Sequence, residues 1–174
     1  MYRILFMCVL ILTCDSQDIV SDSATSAPEI EGLTLYTYLR VQSSYHLRTM
    51  DVYSRLISRP FPAAAELIAL DDEHVSAWLA QIPSYYSVFP PETSKYALGL
   101  GITKWRYRNL RIVMYRPFLI RWALGSPSYN ERSSSSTESL AVFKCLDAAK
   151  ETILSIEEYW TTRAHSRLAA WYVL

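Results

Sequence analysis

Few residues in this chain could do chemistry, and they form no constellation. The cysteines are Cys8, Cys14 and Cys145. Three thiols make no disulfide framework, and the close pair has no histidine beside it, so zinc-ligand spacing is absent. They read as buried or inert thiols. His46, His74 and His165 each stand alone, with no His, Cys or carboxylate at the spacing of a site such as H-E-x-x-H. His46 lies near an apolar stripe and reads as a packed or hydrogen-bonded histidine. Asp71, Asp72 and Glu73 are consecutive, so on a helix their carboxylates diverge. They read as a helix start with Asp71-Asp72 as its cap, rather than as paired acid–base catalysts. Glu157-Glu158 reads as a solvated face. There is no G-x-S-x-G and no Walker loop, and Gly99-Leu100-Gly101 is only a fragment of G-x-G-x-x-G. No catalytic residues, metal ligands or cofactor site emerge, and no effector-binding set can be singled out.

The basic stretch is the remaining candidate. Residues 95–121 carry Lys95, Lys104, Arg106, Arg108, Arg111, Arg116 and Arg121 with no acid. Lys104 to Arg111 interleaves aromatics with arginines, as nucleic-acid surfaces do. At 100° per residue, however, Arg106, Arg108 and Arg111 point in different directions, and the segment also carries an apolar stripe. Arginines that snorkel over a core helix or pair with acids on neighbouring helices are the favoured reading, so no direct nucleic-acid contact is expected.

The elements that must hold these groups are helical. The chain has 174 residues, 51% hydrophobic and 20% charged, which excludes general disorder. Its formal net charge is +0, which excludes a globally basic nucleic-acid glove and an acidic tail protein. A helical pattern runs from Thr34 through Leu35, Tyr38, Leu39, Gln42, Tyr45, Thr49, Val52, Tyr53, Leu56 and Ile57. Arg59-Pro60-Phe61-Pro62 ends it. Ala63 to Leu70 reads as a short helical turn at best. A helix over 72–82 follows, with Val75, Trp78, Leu79 and Ile82 on one face, and Pro83 stops it. Residues 84–94 read as an aromatic loop. The longest helix spans about 95–124, with Leu98, Ile102, Trp105, Asn109, Ile112, Val113, Leu119, Ile120 and Ala123 as its apolar stripe and a kink expected at Pro117. Gly125 to Ser136 reads as a surface loop. A helix from Thr137 to about Trp160 shows the stripe Leu140, Phe143, Leu146, Ala149, Ile153, Ile156 and Trp160. Ser166 to Leu174 is apolar and aromatic. No segment alternates with a period of two, and no Asn-Gly or Asp-Gly turn exists. The fold class is all-α, an irregular multi-helix domain incomplete at one or both ends.

The start imitates a secretory signal: Arg3, then nine unbroken apolar residues from Ile4 to Leu12. That run is too short for a membrane span, which needs about 20 residues. The other reading is a helix remnant, followed by the polar, acidic linker 15–32.

Four stretches, in order, resemble one family. Trp105-Arg106-Tyr107-Arg108-Asn109-Leu110-Arg111-Ile112-Val113-Met114-Tyr115-Arg116-Pro117-Phe118-Leu119-Ile120-Arg121-Trp122 resembles the L-x-I-x-x-x-R-P-F-L helix in the middle homology region of fungal zinc binuclear-cluster transcription factors. Leu35-Tyr36-Thr37-Tyr38-Leu39, with Tyr53-Ser54-Arg55-Leu56-Ile57-Ser58, is similar to the helix before the family's proline-rich turn. Trp78-Leu79-x-x-Ile82-Pro83-x-Tyr85-Tyr86 resembles its W-x-x-x-(L/I)-P-x-(Y/F)-(Y/F) segment. Cys145-Leu146-Asp147-Ala148-Ala149, followed by Trp171-Tyr172, resembles the helices beyond. The six-cysteine DNA-binding module and the Gly-Arg-Pro turn of the family are missing.

The resemblance implies a division into 1–32, a hydrophobic helix remnant plus polar linker, and 33–174, a partial regulatory domain. It implies a nuclear, non-enzymatic module that modulates transcription without binding DNA by itself. Zinc would belong only to the missing module. The implied partners are the transcription machinery, other domains of the parent chain and a small-molecule effector. The alternative is a secreted or membrane-associated helical protein, resting on Ile4 to Leu12. A small enzyme using His46 or Glu73 is the third reading. A slice of a domain would leave Trp171, Tyr172 and Leu174 without partners, so a marginal or aggregating protein is expected.

Overall fold

A computed structural model describes residues 37–82, 97–125 and 136–162. The expectations for the N-terminal segment and linker, the aromatic loop 84–94, the serine-rich loop and Ser166 to Leu174 lie outside the described residues. Among the described residues the architecture is all-α, with no strand.

Helix α1 (Thr37–Leu56) buries Val41, Tyr45, Thr49 and Val52 at helical spacing. It ends before the Pro60–Pro62 segment, whose Arg59–Pro60 peptide is cis. Helix α2 (Ala64–Leu70) does not stop where expected. It runs on as a π-helical stretch, Asp71–Ser76, and then as α3 (Ala77–Gln81). Asp71 therefore caps nothing: it has helical φ and ψ, and its side chain is fully buried. Leu67, Asp71, Val75 and Trp78 are the buried positions of this run. Their spacing of four, four and three keeps them on one face of a helix of 3.6 residues per turn. The π-helical stretch holds roughly one more residue per turn, and Asp71 and Val75 within it stay on that buried face.

Helix α4 (Ala97–Ala123) continues through Pro117. Gly125, at φ 58°, ends it in the left-handed conformation that glycine adopts without strain, its N–H reaching the Trp122 carbonyl at 3.3 Å. The expected stripe of α4 is only partly right. Ile102 and Trp105 are buried, but Asn109, Val113, Ile120 and Ala123 face water, while Leu100, Leu110, Met114, Tyr115 and Phe118 are inside. This helix touches α1, α2 and α5, so its buried face is wider than one stripe and shifts along its length.

Helix α5 (Ser136–Thr162) keeps only part of its expected stripe: Ala149, Ile156 and Trp160 are half-buried, and the last two pack on the Trp105–Tyr159 cluster. Leu140, Phe143, Leu146 and Ile153 are exposed, and Ala141, Val142, Cys145, Ala148 and Tyr159 are buried. The reason is steric. Helix α4 presents Met114, Tyr115 and Phe118 to the core, where α5 answers with the small Ala141 and Cys145 that let the backbones approach, and the large Tyr159 of α5 instead meets Trp105.

The main core joins Val41, Tyr45, Leu67, Trp78, Met114, Tyr115, Phe118 and Cys145 across all these helices. A smaller cluster holds Ile102, Trp105 and Tyr159. No helix among the described residues is long and apolar enough to cross a membrane.

Candidate functional site

The buried carboxylate of Asp71 organises the most polar part of the interior. The π-helical stretch turns it inward, where α4 and α5 meet it. Its Oδ1 accepts from Arg111 Nε at 2.9 Å. Its Oδ2 accepts from the Tyr115 hydroxyl at 2.9 Å and from Lys144 Nζ at 3.0 Å. Arg111 also donates to Ser76 Oγ at 3.0 Å, and Lys144 reaches Asp72 at 3.3 Å. A buried charge needs such company: unpaired, it would be strongly destabilising. Burial, reinforced by the neighbouring Asp71 charge, pushes the Tyr115 phenol far above its usual range, so it stays a donor.

Beside this cluster lies a cleft of about 340 Å³. Tyr107, Arg108, Arg111, Lys144, Asp147 and Glu151 line it together with Asp71 and Ala148. Arg108 donates to the Glu151 carbonyl at 3.1 Å and pairs with its carboxylate at 3.4 Å. Both arginines lie near the Tyr107 ring, at 5.6 and 5.7 Å from its centroid. Three cations and three acids balance, so the cleft has no net pull on a polyanion. An arginine carries five N–H donors, and the named contacts use two of Arg111's. The arrangement suits a small polar molecule carrying both signs of charge. A second hollow of about 310 Å³ lies between Phe61 and Phe118, with the Arg121–Glu138 pair at 3.7 Å beside it.

The other singled-out residues do not converge here. His46 sits on α1, where its Nε2 lies 3.2 Å from Arg106 Nη1. Arginine can only donate, so His46 accepts as the neutral ring. Burial and the Arg106 charge hold its pKa below the ordinary 6.5. Arg106 also donates to Gln42 at 2.6 Å. His74 lies half-buried in the π-helical stretch, and Asp72 and Glu73 are exposed beside it. The Cys145 thiol is buried, with Sγ 3.9 Å from the Ile112 carbonyl, and burial raises its pKa. Burial and the Arg108 charge lower that of Lys104. Arg116 is exposed on α4. Cys8, Cys14, Lys95 and His165 lie outside the described residues. Among the described residues no group of three or more His, Cys, Asp or Glu could hold a metal ion.

Sequence reasoning missed the convergence of Asp71, Tyr115 and Lys144. Its one signal was the position of Asp71 in line with Leu67, Val75 and Trp78. No family model, curated protein or solved structure matches the chain.

Proposed function

We propose that the chain is a regulatory module of the fungal transcription-factor type, which modulates transcription and does no chemistry of its own. Four ordered stretches resemble the family's middle homology region. The observation that carries the reading is how the basic stretch of α4 is used. Arg106, Arg108 and Arg111 engage Gln42, Glu151 and Asp71 on other helices, which makes the stretch part of the packing between helices. The cleft that Arg108 and Arg111 share with Lys144 is the place for a small effector of mixed charge. Occupancy there would bear on α4, α5 and the π-helical stretch together.

The test has two arms. A tagged full-length chain is expected in the nucleus with its N-terminus intact; a processed, exported form would overturn the reading in favour of the secreted alternative. Fused to a heterologous DNA-binding module, the chain is expected to change reporter output, and Arg108→Gln with Glu151→Gln, which line the cleft without touching the buried Asp71, is expected to alter that change while the fusion stays folded. Reporter output identical to the bare DNA-binding module would also sink it.

A further inference from the structure

Helix α5 is apolar on two sides, and only one is used. The outward side carries Phe143, Leu146 and Ile153, exposed by 64%, 50% and 65%, with Leu154 at 47%. Phe143, Leu146, Lys150, Ile153 and Glu157 follow steps of three and four, the seam of a helix that packs on another helix. Globular surfaces scatter single apolar residues, but Phe143, Leu146, Ile153 and Leu154 gathered along one helix, with Lys150 among them, mark an interaction surface.

The charges on this face choose the occupant. A parallel copy would oppose Lys150 with Lys150 and Glu157 with Glu157, which is repulsive. An antiparallel copy, centred near residue 148, opposes Phe143 with Ile153, Leu146 with Lys150 and Ser139 with Glu157. It also brings the Lys150 ammonium to the partner's Asp147, twice by symmetry. An anionic membrane surface is disfavoured by Asp147, Glu151, Glu157 and Glu158 on or beside the face. We propose that the outer face of α5 is a self-association surface, on which a second copy of this chain lays its own α5 antiparallel, pairing Phe143 with Ile153 and Lys150 with Asp147.

One helix pair buries an area at or below the low end of stable interfaces, about 1,200 Å², so the dimer is weak and concentration-dependent. The surface shares one residue, Asp147, with the rim of the cleft, and its apolar residues lie outside the cleft lining. Sedimentation of the full chain over a range of concentrations is expected to show monomer and dimer in equilibrium. Asp147→Lys and Lys150→Asp, each folded by circular dichroism, should each weaken the dimer at least about tenfold, because each sets like charges opposite one another twice. Mixing the two variants should restore a mixed dimer, since both contacts then become complementary. So should the double swap in one chain. A monomer at all concentrations, as when another segment of the chain covers the face, would overturn the proposal. So would single variants that dimerise like the parent, or a mixture that stays monomeric.

Discussion

Asp71 is held by a guanidinium and a phenol from α4 and an ammonium from α5. Removing the carboxylate leaves Arg111 with Ser76 and Lys144 with the exposed Asp72, and takes from both their buried counter-charge. Arg111 and Lys144 keep 23% and 24% exposure and can turn partly to water. Asp71→Ala should therefore lose about 3 kcal/mol in urea unfolding, the low end for a broken buried pair. Asp72→Ala, at an exposed position, should lose under about 1 kcal/mol. Equal losses would show that the buried geometry does not matter. His46 makes a pH prediction. Its folded pKa lies below the unfolded value, so the unfolded chain binds the proton more readily. The neutral ring's contribution is full above the ordinary value of 6.5 and falls away as acid titrates the group through its lowered pKa. Stability should rise as pH climbs from the lowered pKa towards 6.5, and His46→Gln, which keeps an acceptor for Arg106, should flatten that rise. An unchanged slope would assign it to other groups.

At the scale of elements, α1 and α4 approach closely at one glycine. A Cβ on Gly99 would lie 2.9 Å from Tyr38 Cδ2, close to the root of a ring that cannot swing away cheaply. A Cβ on Gly101 would meet the far edge of Trp105 at 3.4 Å. Both substitutions gain about 1 kcal/mol of helix propensity, but only Gly101→Ala keeps it. Gly99→Ala adds overpacking of about 1–3 kcal/mol, so the melts of the two variants should move in opposite directions. The π-helical stretch shows why the reading of 63–70 and 72–82 as two elements failed. Leu67, Asp71, Val75 and Trp78 fit one helical face that runs through the expected break, but a carboxylate does not read as a core position and consecutive acids look like a cap. Three donors from α4 and α5 turned that cap into a buried anchor.

At the scale of the molecule, Met114 is fully buried in the core that α1, α2, α4 and α5 share. Met114→Ala should cost about 2–5 kcal/mol. Trp78 belongs to that core and Trp105 to the smaller cluster, and α4 runs through both. Tryptophan emission and far-ultraviolet dichroism should therefore report one transition. Two separated transitions would mean that the clusters fold independently.

The helices themselves were legible in the sequence. Periodicity, prolines and glycines placed α1, α4 and α5 within a few residues, because local sterics and hydrogen bonding set those limits. Which face each helix buries was not legible for α5, since both of its faces are apolar. Hydropathy favours the side with Phe143 and Ile153, but the large side chains of α4 selected the side with Ala141, Cys145 and Ala148. The site was invisible for the same reason. Asp71, Tyr115 and Lys144 are far apart in the chain, and a buried charge is recognised by its partners, which only the packing of three helices brings within 3.0 Å.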